Sequence, residues 1–332
     1  IEKLVLLPYH DYLMVDFFFV LSGFVIAYNY MDKLTNTKNL INFQIKRFLR
    51  LYPLHFLVLL AFLFKENAIY YFEKVTGVQP NTPVFSVNNL ESFVHNVLLA
   101  HSFGLERLTY NHPSWSISTE FFTYLIFGII IIAIRNYKLQ LITIIITMLL
   151  CIFFLNDFRS ETTYESLLRC IYCFFLGVLG FNFFKYIKFS FPVWSQYLFL
   201  ILSVTLVTYG HKVYAPLVVL SFSLLIMSLV QSKNSLMKKI LEKPFLVYLG
   251  TISYGIYMIH YIIWWIIAQF FRFVVKIPTV LTEGNTTIVF ENIFFGTSVT
   301  IIGLLIIIAL SHLSYKFFEV PINNFKSKIK IV

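Results

Sequence analysis

The sequence predicts an all-α, polytopic transmembrane bundle, and three observations carry that expectation. Of 332 residues, 58% are apolar and only 13% are charged. A soluble domain is about 25% charged, so these side chains cannot cover a globule of this size with polar surface. The apolar runs are continuous, whereas a membrane β-barrel shows short alternating segments. The charges sit between the runs rather than along them. A soluble enzyme, a disordered chain and a disulfide scaffold are excluded on the same grounds.

A bilayer crossing takes about 20 apolar residues in a helix. Nine segments qualify, at 15–31, 48–66, 115–134, 139–155, 166–184, 194–209, 214–231, 247–273 and 289–313. Most connections between them are short. One long loop, 67–113, carries Pro80, Pro83, Asn88 and Glu91 and is too polar to span. Within it, 90–99 reads as an amphipathic helix lying on the membrane surface. No repeat or low-complexity tract divides the chain, so residues 1–332 read as one domain.

Seventeen of the 26 basic residues fall in one set of alternate loops, against three acids, Asp32, Glu242 and Glu319. That side is cytoplasmic by the positive-inside rule, with the C-terminus inside and 67–113 extracytoplasmic. The net charge of +10 therefore reports topology. With no basic face or strand-reading motif, no nucleic-acid partner is expected. Nine spans place Ile1 outside, which either an N-out start without a signal or one missing leading helix would explain.

An ionisable or polar group inside a span is costly, so each is a candidate for function. In residues 15–24, VDFFFVLSGF, Asp16 stands where a helix N-cap would. Ser22 and Gly23 form a small-residue patch that admits either a neighbouring helix or a ligand. In residues 46–53, KRFLRLYP, the side chains of Lys46, Arg47 and Arg50 share one helix face. They suit a snorkelling anchor or a clamp for a phosphate. In residues 113–120, PSWSISTE, Ser114 suits an N-cap, and Ser116, Glu120 and Tyr124 fall on one face at i, i+4 spacing. A carboxylate there needs a partner or water, and it can orient a histidine. In residues 249–260, LGTISYGIYMIH, a stripe of Ser253, Tyr257 and His260 continues to Trp264. Such a stripe suits substrate binding or proton handling.

Other features read as structural. Cys170 and Cys173 form a C-x-x-C, but a bridge three positions apart on a helix is strained and no further ligand stands near. These two and Cys151 read as packing residues. His55 and His312 stand alone and read the same way. No metal constellation or Gly-rich phosphate loop is present in the sequence.

The four polar stretches, with FEVP at 318–321, resemble in order and spacing the bacterial membrane acyltransferase-3 family, integral-membrane O-acyltransferases of sugars. The resemblance covers nearly the whole chain and implies a ten-helix bundle. It implies transfer of an acyl group, usually acetyl, from cytoplasmic acyl-CoA to a hydroxyl of a glycan, often lipid-linked or exported. On that resemblance Arg47 and Arg50 meet the CoA phosphates, and Ser22 and Gly23 belong to the donor site. Trp115, Ser116, Tyr254 and Tyr257 would hold the acceptor, and Glu120 and His260 would be catalytic.

The amino-terminal end departs from the family pattern. There an arginine precedes the histidine regarded as catalytic, both tied to the first helix. Here His10 is the only histidine ahead of VDFFF, and the arginine's place falls before Ile1. Either residues 4–10, LVLLPYH, keep the catalytic histidine as His10 with a shortened loop, or the pair is absent from this chain.

The resulting expectation is an inner-membrane O-acetyltransferase with acetyl-CoA as donor, a surface or lipid-linked carbohydrate as acceptor, the lipid bilayer as its surroundings and no metal. Its rivals are a glycan-precursor transporter and a degenerate, non-catalytic scaffold. A transporter often shows broken helices in corresponding halves, and this sequence has no such symmetry.

Overall fold

The computed structural model describes residues 13–326 apart from 81, 159, 188–189, 210–213, 233, 278, 283–284, 289 and 291. Each apolar run forms a helix. In chain order they are α1 (Leu13–Tyr30), α2 (Thr37–Thr76), α5 (Trp115–Ala133), α6 (Tyr137–Phe154), α7 (Thr163–Tyr186), α8 (Ser195–Tyr209), α9 (Ala215–Gln231), α11 (Pro244–Phe270) and α12 (Ile293–Ser314). Short helices α3 (Leu90–Val97) and α4 (His101–Gly104) lie in the long loop, α10 (Leu236–Leu241) precedes α11, and α13 (Val320–Lys326) follows α12. Among the described residues seven helices are long and apolar enough to cross a membrane, and α8 and α9 are shorter apolar helices. The chain is an all-α, multi-pass membrane bundle.

Local chemistry sets the helix ends. Asn36 caps α2 by accepting from the Asn39 N–H, and Asn136 and Asn292 do the same for α6 and α12. Gly77 ends α2 at φ 71°, a left-handed conformation that costs a residue without Cβ nothing. Its N–H bonds the Glu73 carbonyl. α2 runs 40 residues straight through Pro53, beyond both ends of the expected 48–66 span. Pro53 has no N–H, so the Leu49 carbonyl loses its helical donor.

The tightest crossing is α1 on α7, and two glycines make it. A Cβ on Gly23 would lie 1.9 Å from the Phe174 carbonyl oxygen, and one on Gly177 would lie 2.0 Å from that of Val20. Backbone thus meets backbone, as small residues permit in lipid, where no hydrophobic effect drives helices together. Around this crossing Phe19, Phe43, Phe127, Phe174 and Phe175 fill the core with edge-to-face contacts.

At one end, Lys185 pairs with Asp32 at 2.6 Å, and Arg135 donates to the Thr35 carbonyl. The basic loops after α1, α5 and α7 therefore converge. At the other end, buried Glu66 accepts from the Phe85 N–H at 3.2 Å and from Asn88 Nδ2 at 3.0 Å. This ties the long loop to α2. The expected amphipathic helix in that loop is α3. Its Ser92 and Asn96 are buried, while Leu90, Val94 and Leu98 point outward, the polarity expected of a helix facing lipid. A hairpin with Thr279 opposite Ile288 adds two four-residue strands that the sequence reading does not contain.

Candidate active site

A cavity of about 500 Å³ lies between α1, α2, α5 and α11. It gathers residues from all four polar stretches: Ser22, Arg47 with Arg50, Glu120 with Tyr124, and Tyr254 with Tyr257. Between them the wall is aliphatic and aromatic.

Glu120 sits five residues into α5 and is wholly buried. Its Oε1 accepts from Ser22 Oγ at 2.6 Å and from the Tyr124 hydroxyl at 2.5 Å. The i, i+4 spacing of Glu120 and Tyr124 puts both on one face, as the sequence predicts. Oε2 has no partner among the described residues. A buried carboxylate oxygen without a donor is costly, so Glu120 keeps an unsatisfied acceptor just behind the cavity wall.

Arg47 and Arg50 stand one turn apart on α2 and line the same cavity. Arg47 donates to the Tyr30 hydroxyl at 3.0 Å and lies over the Tyr30 ring, 5.2 Å from its centroid. Its Nε has no acceptor among the described residues. Arg50 pairs with Glu319 and lies 5.5 Å over the Tyr254 ring. Glu319 belongs to the FEVP stretch, so that motif reaches the site by holding Arg50. Lys46, on the same helix, does not line the cavity.

On α11 the Tyr254 hydroxyl donates to the Leu51 carbonyl, and that of Tyr257 donates to the Pro113 carbonyl at 2.7 Å. Tyr257 also meets Ser116 Oγ at 2.9 Å. These bonds fix α11 against α2 and α5 and place Ser116 just beyond the cavity wall.

Three expected site residues point elsewhere. Gly23 packs against Phe174 of α7 and does not line the cavity, while its neighbour Ser22 does. His260 turns its Nδ1 onto its own helix, 2.6 Å from the Tyr257 carbonyl, and does not line the cavity although Ser253 and Tyr257 of its stripe do. Trp115 lies beneath a guanidinium outside the cavity. His10 lies outside the described residues.

That guanidinium is Arg169, which sequence reasoning missed. It grips Asp16 through Nε–Oδ1 at 2.7 Å and Nη2–Oδ2 at 3.2 Å, and both side chains are wholly buried. Asp16 is therefore an ion-pair residue and not the expected N-cap. Arg169 lies 5.1 Å over the Trp115 ring, so α1, α5 and α7 meet at one point. A carboxylate at the start of a span signals that it needs a partner, but not that the partner is Arg169 of α7.

His55 is not alone either. Its ring stacks on that of His101 at 5.5 Å and 6°. Its Nε2–H donates to the Asn96 carbonyl at 3.0 Å. Ser114 does not cap α5; its hydroxyl donates to the Asn111 carbonyl and accepts from His101 Nε2 at 3.1 Å. Burial first, then neighbouring His55, pushes the His101 imidazole down to about 3, so it stays neutral. The three cysteines are free and buried, as expected of packing residues.

Among the described residues no group of three or more His, Cys, Asp or Glu could hold a metal ion. No solved structure matches the chain. Acyltransferase MdmB from Streptomyces mycarofaciens is 37% identical over 116 residues, which is 34% of this chain and 26% of the relative. This chain thus matches about a quarter of that protein's length. The acyltransferase domain profile, acyltransferase-3, matches residues 4–312, nearly the whole chain. The chain belongs to the acyltransferase-3 family.

Proposed function

We propose that this protein is a plasma-membrane O-acyltransferase that moves an acyl group, acetyl in the simplest case, from cytoplasmic acyl-CoA to a hydroxyl of a carbohydrate-bearing acceptor. One observation carries the reading. A single cavity brings two arginines, suited to phosphates, together with Glu120, whose second carboxylate oxygen lacks a donor among the described residues.

The skew of basic residues supports placing the arginine end toward the cytoplasm, where acyl-CoA is made. Arg47 and Arg50 would hold the donor's phosphates, and the pantetheine arm would follow the apolar wall. The acceptor hydroxyl attacks the thioester carbonyl. A C–O bond forms, the C–S bond breaks, and the hydroxyl proton passes to Glu120 Oε2 or to His10 before ending on the released thiolate. Such proton transfer contributes about 10²–10⁴-fold. Ser22 and Tyr124 hold the Glu120 carboxyl in place at the cavity wall through Oε1. Tyr254 and Tyr257 form the facing wall.

The test is acetyl transfer from labelled acetyl-CoA in membranes that carry the full chain. Glu120→Gln and Arg47→Ala should each abolish incorporation into the acceptor fraction. Transfer at the wild-type rate in both variants refutes the reading.

A further inference from the structure

Glu319 reaches Arg50 because the helix before it changes pitch. The buried residues of α12 are Gly303, Ile307, Ser311 and Ser314, one face at spacings of four, four and three. Continued at about 3.6 residues per turn, that face passes through Phe318. Instead Phe318 is 41% exposed and Glu319 is 6% exposed. The cause is a π-turn, Tyr315–Glu319, in which the Val320 N–H bonds the Tyr315 carbonyl five residues back. The wider turn holds one extra residue, so the inward position moves from Phe318 to Glu319. Such turns are rare, and they recur at functional sites.

The ion pair that results is lopsided. The Arg50 side chain is 30% exposed and that of Glu319 is 5% exposed. Arg50 lines the main cavity and also a small recess that it shares with Leu49, Pro53, Glu319 and Asn323. Among the described residues it donates one hydrogen bond, from Nη1 to Glu319 Oε2. A guanidinium carries five N–H donors in a planar fork, and one carboxylate oxygen takes only part of it. The Tyr254 ring, 5.5 Å away, covers one face of the plane. An arginine held along one edge and one face presents its other edge to a second anion, already oriented.

We propose that Glu319 is a positioning residue of the donor site. Aimed by the π-turn, it fixes one edge of the Arg50 guanidinium, and the free edge takes a phosphate of the donor. The identity of that anion rests on the acyltransferase reading. The sign of the effect separates positioning from simple neutralisation. A carboxylate that only neutralised Arg50 would weaken phosphate binding, and its removal would tighten it. A carboxylate that orients the fork strengthens binding, because the ligand no longer has to order a flexible side chain.

Two donors carry the same thioester: acetyl-CoA, with phosphates, and acetyl-pantetheine, without them. Transfer from each is measured in membranes that carry the full chain with Glu319→Ala. The KM for acetyl-CoA should rise by about tenfold, ~1.4 kcal/mol, and the preference for acetyl-CoA over acetyl-pantetheine should fall by the same factor. Glu319→Gln, which keeps an acceptor oxygen, should recover part of the loss. Arg50→Ala with Glu319→Ala should be no worse than Arg50→Ala alone, because Glu319 acts through Arg50. An unchanged or lower KM in Glu319→Ala overturns the proposal. So does an equal fall with both donors, the mark of a helix end that has lost its fold. Calorimetry with CoA on the purified chain in detergent needs no turnover and separates the two readings. CoA that binds the wild type and Glu319→Ala equally well overturns the positioning role alone. CoA that does not bind the wild type overturns the acyltransferase reading, and this role with it.

Discussion

Asp16 and Arg169, 153 positions apart, meet through two hydrogen bonds of 2.7 and 3.2 Å with neither side chain exposed. Removing one partner leaves a charge buried and unpaired, which costs about 3–5 kcal/mol, whereas replacing both with apolar groups of similar volume is often neutral. Arg169→Met alone should therefore lower the unfolding temperature in detergent sharply. Asp16→Leu together with Arg169→Met should recover most of it. A double variant as unstable as the single one would show that the pair is not an isolated electrostatic unit.

Glu120→Gln keeps an oxygen to accept from Ser22 and Tyr124 but cannot take up or release a carboxyl proton. Thermal stability should change little. Acetyl transfer should fall by about 10²–10⁴-fold, in kcat rather than in the KM for acetyl-CoA. A pure KM effect would move Glu120 from proton handling to donor binding.

Arg47 acts as a planar group: it stacks on Tyr30 and donates to that ring's hydroxyl. Lysine keeps the charge but loses the fork and the stacking face. Arg47→Lys should raise the KM for acetyl-CoA by about tenfold, ~1.4 kcal/mol, with kcat less affected. Equal KM values would show that only the charge matters.

His101 gives the protein a pH dependence outside its spans. Its folded-state value, about 3, lies below the ordinary 6.5, so the unfolded chain binds the proton first. Stability is fully present above 6.5 and is lost as the pH falls from there toward 3. At pH 5 the loss from this group is about 2 kcal/mol. Thermal denaturation at pH 7.5 and pH 5 should show it, and His101→Gln should flatten that slope.

Gly23→Ala would drive a methyl group into the Phe174 carbonyl, 1.9 Å from the ideal Cβ position. Backbone cannot swing aside as a flexible side chain can, so the cost is at least about 1–3 kcal/mol. Reduced yield of folded protein, measured by size-exclusion chromatography, should follow. Gly250→Ala, with open space around it, should be tolerated.

The helices were legible because lipid leaves little choice: a long apolar run must bond its own backbone. All nine expected spans coincide with helices, and the shared face of Glu120 and Tyr124 follows from a spacing of four. What was not legible depends on which helices become neighbours. Nothing local tells Asp16 that Arg169 will face it, or Arg50 that Glu319 will. The rotation of α11 sends Tyr257 into the cavity and His260 out of it, although they are three residues apart. The expected span 48–66 already ran through Pro53; what was hidden is how far α2 continues past it on both sides, because those flanking turns, 37–47 and 67–76, are too polar to read as membrane-spanning.

α2 joins the two faces of the membrane as one rod. Arg47 belongs to the cavity, and Glu66, about 28 Å farther along at 1.5 Å per residue, anchors the long loop through Phe85 and Asn88. The loop and the guanidinium cluster therefore have one helix as their common support, and a change in its length or phase between them would shift both anchor points against each other.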